Sequence, residues 1–170
     1  KRIILYTKLC SMEESIWYDN MKLITITTWN NKLYKEYAHR FEATYNWSWP
    51  YTVYNEDDGM YDAIPDLKKF VDRNKNRPVK DFLQDGVRFS YKVFGYCHAI
   101  EQYSDYDFIM GVDADSVFYN PMPEDIVKDK LYKEDCMMTY LGRGGQYSEC
   151  GFLGFNMKHP EIQNYAREML

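Results

Sequence analysis

Two aspartates separated by one residue, Asp113 and Asp115, lie directly after an apolar run about two thirds of the way along the chain. Residues two apart in an extended segment point to the same side, so both carboxylates can converge on one ligand. Carboxylate oxygens suit Mg²⁺ and Mn²⁺, which commonly keep open positions for substrate phosphates. The pair predicts a divalent metal site; the alternative is two solvated aspartates in a turn.

Other polar residues that could contact a nucleotide lie at the ends of two predicted strands. Thr27, Thr28 and Asn30 end a β-branched segment, and Glu56 and Asp57 follow a second one. In open α/β sheets ligands bind outside the carboxyl ends of strands, so these side chains are expected near the aspartates. The alternative for each of them is turn, capping or solvent chemistry.

Two basic residues and one glutamate are candidates for the chemical step. Arg88 and Lys92 lie one turn apart on a predicted helix, where a cation could stabilise negative charge on a bound ligand. Glu149 adjoins an apolar segment containing glycine, and burial there would raise the pKa of its carboxyl group toward that of a useful base. Both basic residues can equally be ordinary solvated helix residues.

The elements that position these residues are a predicted alternation of strands and helices. Strands are predicted at 21–28, 49–54, 106–112, 136–141 and 151–156, and helices over 33–45, 87–103 and 160–170. A short helix followed by a surface loop is predicted over 60–86. Segment 106–112 is the most continuous apolar run and predicts a central strand covered on both faces. The pattern is typical of an α/β domain with three layers.

Length and composition exclude several classes of protein. A chain of 170 residues favours one domain, and a net charge of −5 does not suit binding to nucleic acid or an anionic membrane. No apolar run reaches the ~18 residues of a transmembrane helix. The cysteines are widely spaced, which favours reduced thiols and a cytoplasmic location. They are Cys10, Cys97, Cys136 and Cys150.

The two ends of the chain suggest an unusual order of segments. An apolar helical stripe that starts at Ile162 reaches Leu170 without a stop signal, and it would continue in phase through Ile3 if the two ends were joined. This predicts a circularly permuted or rearranged chain in which residues 1–20 were originally C-terminal. The alternative is a trimmed natural chain that begins with a strand over 2–7.

Three segments together carry a resemblance to a known family. The apolar strand ending in Asp113-Ala114-Asp115 is similar to the DxD motif of nucleotide-sugar-dependent glycosyltransferases with the GT-A fold. Segment 21–30 resembles their first, nucleotide-contacting strand, and segment 147–156 resembles the substrate-site segment that follows DxD. The likeness covers roughly residues 21–170. It implies a Rossmann-like three-layer domain with a mixed, mostly parallel sheet that transfers a hexose from a UDP-sugar to a glycan or other hydroxyl acceptor.

The resemblance also implies roles for individual residues. Asp113 and Asp115 would hold Mn²⁺ or Mg²⁺, and Ala114 between them would contact the nucleotide. Many members carry a histidine and an aspartate after the last helix. On the permuted order, the comparable stretch is 12–17, which contains no histidine and offers Glu14 in place of the aspartate.

Two other functions fit parts of the sequence. The run Asp113-Ala114-Asp115-Ser116-Val117 also fits haloacid-dehalogenase-like phosphatases, in which the first aspartate is a nucleophile. That family normally carries the motif on its first strand and needs a later acidic pair, and no matching Gly-Asp cluster follows here. From a different class comes a non-catalytic domain that binds metal, nucleotide or carbohydrate, or an engineered scaffold derived from the transferase fold. The missing histidine supports this last alternative.

Overall fold

The computed structural model describes residues 21–81, 84–142 and 149–170, which form an α/β fold around a five-stranded sheet. The strands are β1 (Leu23–Trp29), β2 (Tyr51–Asn55), β3 (Phe108–Val112), β4 (Met138–Leu141) and β5 (Glu149–Asn156). Their order is β2-β1-β3-β5-β4. β1 is parallel to β2 and β3, whereas β5 is antiparallel to β3 and β4. Four strands therefore share one direction, and the predicted mixed α/β sheet is confirmed.

The helices of the described ranges alternate with these strands. Helix α1 joins Asn31–Leu33, the π-helical turn Tyr34–Ala38 and His39–Thr44. Helices α2 (Met60–Ala63), α3 (Pro65–Asn74) and α4 (Gly86–Gln102) follow β2. Helix α5 joins Glu124–Ile126 to the π-helical turn Val127–Leu131, and α6 is Ile162–Met169. The predicted alternation is confirmed, and α5 is an addition to it.

Two apolar clusters hold helices against opposite faces of the sheet. One cluster packs Ala38 of α1 and Val127 of α5 against a face that includes Met110. The other packs Ile100 of α4 and Ile162 of α6 against the opposite face. Successive strand residues point to opposite faces, so the sheet supplies apolar side chains to both clusters. The result is three layers: helices, sheet, helices.

Strand β3 lies in the middle of the sheet, as its apolar sequence predicts. All five of its residues are buried, with β1 on one side and β5 on the other. Gly111 lies directly under Tyr96 of α4, and a Cβ added to that glycine would be 2.5 Å from the Cζ atom of the tyrosine. The absent side chain therefore lets α4 approach the strand whose carboxyl end carries the two aspartates.

The region 60–86 contains more helix than predicted. Helix α3 runs over Pro65–Asn74 and buries Leu67 and Val71 against Phe94 of α4. Proline is compatible with the first turn of a helix, where its missing N–H would have no partner anyway. Pro65 therefore begins this helix and does not break it.

Some predictions fall outside the described residues. The chain order inferred from residues 1–20 is one of them, and the role of Glu14 is another. Within the described ranges, no helix combines the length and the apolar character needed to cross a membrane.

Candidate functional site

Asp113 and Asp115 lie where the central strand ends. The backbone N–H of Asp113 donates to the carbonyl oxygen of Gly151 at 2.9 Å, which continues the pairing with β5. A turn follows, closed by the Ser116 N–H and the Asp113 carbonyl oxygen at 3.1 Å. Both aspartates line one cavity of about 840 Å³. The structure therefore places the pair together at the carboxyl edge of the sheet.

Lys92 is held beside this pair by two hydrogen bonds. Its ammonium group donates to the Oδ1 atom of Asp113, forming an ion pair, and to the carbonyl oxygen of Cys150 at 2.6 Å. The lysine side chain is only 23% exposed, so its position is set by α4, β3 and β5 together. Lys92 was predicted as a cation near the aspartates, and the structure brings it there.

Asn30, Glu56 and Asp57 form a polar group at the carboxyl ends of β1 and β2. The amide of Asn30 donates to Glu56 Oε2 at 2.8 Å, and its oxygen accepts from the N–H of Leu33 at 2.9 Å, which caps α1. Asp57 accepts from the N–H of Asn31 at 2.7 Å. Burial raises the pKa of Glu56 above its usual value, and the Asn30 hydrogen bond opposes that shift. This polar group thus combines capping with a half-buried carboxylate.

Tyr37 of α1 connects the polar group electrostatically to the aspartates. Burial is the main cause that raises the pKa of its phenol. The negative charge of Asp115 raises that pKa further, the positive charge of Arg88 lowers it, and the charge of Glu56 raises it. Because such effects fall off with distance, residues from β2, α4 and the end of β3 lie close around this one phenol.

Two residues predicted to contact a nucleotide have buried side chains. Thr27 is fully buried, and its hydroxyl has no hydrogen-bond partner in the described structure. β1 continues to Trp29, one residue past the predicted end at Thr28, so Thr27 lies within the paired strand opposite Val53. Its side chain is therefore enclosed in the sheet, and its contact with a ligand stays a prediction. The side chain of Ala114 is also buried, which leaves only its backbone for a ligand.

Thr28 and Arg88 occupy positions that differ in exposure. The methyl group of Thr28 lies close to α4, 3.2 Å from where a Cβ on Gly95 would be. This contact directs Thr28 toward α4. Arg88 is exposed on the first turn of α4, on the same helix as Lys92.

The structure does not describe the side chains of Glu149 and Glu14, the two glutamates predicted for catalysis. Glu149 begins β5 and is paired with Leu141 of β4, which places its backbone at the carboxyl edge of β3. Glu14 lies outside the described residues. Lys92 is thus the predicted catalytic residue whose contacts are known.

The sequence did not indicate two groups that the structure adds to the site. Tyr37 fits the apolar periodicity of α1, which assigned it to the core. Cys150 contributes its backbone carbonyl oxygen to Lys92, and a backbone contact leaves no signal in residue type. A prediction that β5 runs antiparallel next to β3 would have indicated this backbone contact, since an antiparallel β5 brings the chain back to the edge of the sheet where β3 ends.

The acidic residues fit a metal ion only if a ligand completes its coordination. Within the described ranges, no group of three or more His, Cys, Asp or Glu side chains is close enough to hold one. Two carboxylates at an open cavity do match the way Mg²⁺ is usually bound, through one or two carboxylates plus substrate phosphates. The donor set of Asp113 and Asp115 therefore fits a hard cation that arrives with a phosphorylated substrate.

Comparisons with known proteins identify no relative of this chain. No protein-family model, no curated protein and no solved structure matches the chain.

Proposed function

We propose that this protein is a metal-dependent glycosyltransferase of GT-A type that moves a hexose from a UDP-sugar to a hydroxyl acceptor. The observation that carries the proposal is the pair Asp113 and Asp115 at the carboxyl end of the central strand, open to a cavity and backed by Lys92. The resemblance of the DxD segment to that family supports the choice of reaction. The mixed α/β sheet is compatible with it.

In this proposal Asp113 and Asp115 hold the divalent cation. When bound, Mn²⁺ or Mg²⁺ would stabilise negative charge on the phosphate oxygens of the departing UDP. The chain itself determines where the two carboxylates lie. Asp113 is paired with β5 and is followed by a turn, and both contacts restrict the positions of the carboxylates. Such preorganisation avoids the cost of moving charged groups during the reaction.

Lys92 has a double role in the proposal. An ammonium group carries three N–H donors, and the contacts with Asp113 and Cys150 use two of them. The third can donate to a phosphate oxygen of the leaving group. Because Lys92 is mostly buried, it reaches that position without losing much further side-chain freedom. Arg88 is the second cation on the same helix.

The donor nucleoside is assigned to the β1 and β2 side of the site. Asn30, Glu56 and Asp57 lie there with Tyr37, and their polar atoms can bond to the ribose and to the uracil N–H. The lysine and the aspartates follow on the β3 side, where the diphosphate would lie. This order along the sheet edge matches the order of groups in a UDP-sugar.

We also propose a cytoplasmic location. Cys97 and Cys150 form no disulfide in the described structure, which suits a reducing compartment.

The deciding experiment is calorimetric titration of the protein with UDP in the presence of Mn²⁺. We expect UDP affinity to fall at least about tenfold in EDTA and in Asp115→Asn, because phosphate would lose its metal bridge. Asp129→Asn is the matched control, since Asp129 is an exposed aspartate outside the cavity. An affinity that EDTA does not change would contradict the metal site.

Product analysis separates the proposed reaction from its alternatives. With Mn²⁺ and a panel of UDP-sugars, slow release of UDP supports the transferase. Release of phosphate from a phosphomonoester would instead indicate the phosphatase, with Asp113 as its nucleophile. Binding of UDP without turnover of any substrate would indicate a non-catalytic binding domain.

A further inference from the structure

The cavity beside the two aspartates has an apolar interior; we call it the acceptor cavity. Its volume of about 840 Å³ falls within the range of pockets that hold small organic ligands. The apolar walls come from the loop after Asp115, from α5, and from β4 and β5. They include Val117, Phe118, Met122, Leu131, Leu141 and Phe152.

Polar groups are confined to a small part of this cavity. Asp113, Asp115 and Ser116 lie at the end of β3, and Lys130 is the basic residue among the described lining residues. A sugar or other hydroxyl-rich group bound against the apolar walls would lose hydrogen bonds to water and gain few in return. An aromatic or aliphatic group gains from leaving water there. The lining therefore favours an apolar occupant with a polar end near the aspartates.

The walls of the acceptor cavity are fixed by contacts with α1 and the segment after it. The N–H of Phe118 donates to Thr44 Oγ1 at 3.2 Å, and the ring of Phe118 packs edge-on against Trp47 with centroids 4.8 Å apart. Val127 and Leu131 anchor α5 in the core beneath the cavity. The cavity is thus preformed, and a ligand need not order its walls.

The position of the acceptor cavity also separates it from the nucleoside side of the site. Leu141, Gly151 and Phe152 belong to the β4 and β5 side of the sheet, whereas Asn30 and Glu56 lie at β1 and β2. The aspartates lie between the two sides, at the end of β3. A second substrate in this cavity would therefore meet the donor at the aspartates.

We propose that this cavity binds the acceptor, and that the acceptor carries an apolar aryl or alkyl group next to its reacting hydroxyl; this rests on the proposed transferase function. In the transfer, the acceptor oxygen bonds to the anomeric carbon of the hexose while the bond from that carbon to the terminal phosphate oxygen breaks. UDP leaves with the electron pair of that bond, and the hydroxyl proton passes to water. The apolar group keeps the hydroxyl at the aspartate end of the cavity.

The test compares phenyl β-D-glucopyranoside with methyl β-D-glucopyranoside, which differ only in the apolar group. Binding to the whole chain with Mn²⁺ and UDP is followed by tryptophan fluorescence, because Trp47 lines the cavity. We expect the phenyl compound to bind at least about tenfold more tightly, in keeping with the free energy of burying a ring. With a UDP-glucose and UDP-galactose panel, the phenyl compound should also be the better acceptor.

A matched pair of surface variants locates the preference in the cavity. Ile126 lines the cavity and is 41% exposed, and Val79 lies elsewhere and is 51% exposed. Ile126→Lys should reduce the phenyl preference to less than about threefold, whereas Val79→Lys should leave it unchanged. Thermal melting checks that both variants fold. If Ile126→Lys melts early, the comparison of the two glucosides on the unaltered chain decides alone.

The outcomes separate this inference from the proposed function. Equal affinities for the two glucosides, in a protein that binds UDP with Mn²⁺, would overturn the apolar acceptor and leave the transferase standing. A protein that binds phenyl glucoside but not UDP would overturn both the transferase and the acceptor role of the cavity.

Discussion

Lys92 is the residue whose contacts most directly link structure to the proposed chemistry. It bonds to Asp113 and to the backbone of Cys150, and we assign its remaining donor to the leaving phosphate. We expect Lys92→Ala to lower kcat about 10²- to 10³-fold, the usual effect of losing one donor to developing negative charge. The loss of stability should be small, because partly exposed ion pairs contribute about 1 kcal/mol or less.

Parallel measurement of turnover and melting temperature tests this assignment. Lys35→Ala is the control, since Lys35 is an exposed lysine of α1. A variant at position 92 that loses activity only in proportion to its stability would show a structural lysine instead.

Glu56 provides a prediction about pH. Burial raises its folded-state pKa, with Asp57 adding to the shift and Asn30 and Arg88 opposing it. Between the unfolded and the raised folded pKa, the folded state binds more protons than the unfolded state, so this group makes stability fall as pH rises through that window. Above the folded-state pKa, ionised Glu56 destabilises the folded state by its full amount. Glu56→Gln should therefore be more stable than the original protein near neutral pH, and this gain should shrink as pH falls through that window and be nearly lost by pH 4.5.

Urea denaturation of both proteins from pH 4 to pH 8 measures this difference. A gain in the free energy of unfolding that does not vary over this pH range would show that the ionisation of Glu56 is not its cause.

At the scale of elements, the contact between Gly111 of β3 and Tyr96 of α4 decides how closely helix and sheet approach. An added Cβ would lie 2.5 Å from Cζ of Tyr96 and 2.8 Å from its hydroxyl oxygen, and the tyrosine is itself buried. Gly111→Ala should therefore destabilise the protein by about 1–3 kcal/mol, the usual cost of overpacking a core. Because α4 carries Lys92, activity should fall as well.

Gly86 allows the same substitution without the clash. Among the described residues, apart from its chain neighbours and its own helix backbone, no atom lies within 4 Å of where its Cβ would be, and Gly86 opens α4. Gly86→Ala should change stability by less than about 1 kcal/mol and in the favourable direction. Chemical denaturation of both variants gives the comparison. Similar effects at the two positions would contradict the close packing at Gly111.

The elements that sequence predicts best are those with one dominant physical cause. Strand β3 is apolar throughout because it is buried on both faces, and α1 begins where Asn30 caps it. A short helix and a loop were predicted over 60–86, whereas the described part of that region has two helices, the longer of which begins at Pro65 and ends at Asn74. Its partner Phe94 lies far away in sequence, and periodicity within a short window cannot reveal such packing.

The site shows the same division between local and distant causes. Three residues could be predicted from sequence because they are charged and lie at the end of a predicted strand or on a predicted helix. They are Asp113, Asp115 and Lys92. The burial of Thr27 was not predicted, because it depends on the helices that cover this face of the sheet. The contact of Lys92 with a backbone carbonyl depends on strand direction, which spacing along the sequence does not encode.

At the scale of the whole molecule, ligand binding should be coupled to unfolding. If the folded state alone binds UDP with Mn²⁺, UDP at 100 times its Kd adds about 2.7 kcal/mol to the free energy of unfolding. For a chain of this length, that corresponds to a rise in Tm of about 5–10 °C. EDTA and Asp113→Asn should each abolish the rise. Differential scanning calorimetry measures it, and a rise that persists in EDTA would point to a site that needs no metal.

The pairing of Leu141 with Glu149 has a consequence for how such a protein can change over evolution. These two residues face each other where β4 ends and β5 begins, so the sheet fixes both ends of the connecting segment without regard to its length. Each doubling of a connection costs only about 0.6 kcal/mol of closure entropy, so insertions there are tolerated thermodynamically. Asp113 and Lys92 bond to the backbone carbonyl oxygens of Gly151 and Cys150 within β5, so they stay in place as long as β5 keeps its pairing with β3 and β4. Insertions can therefore accumulate in this one connection while the pairing that positions Asp113 and Lys92 is inherited unaltered.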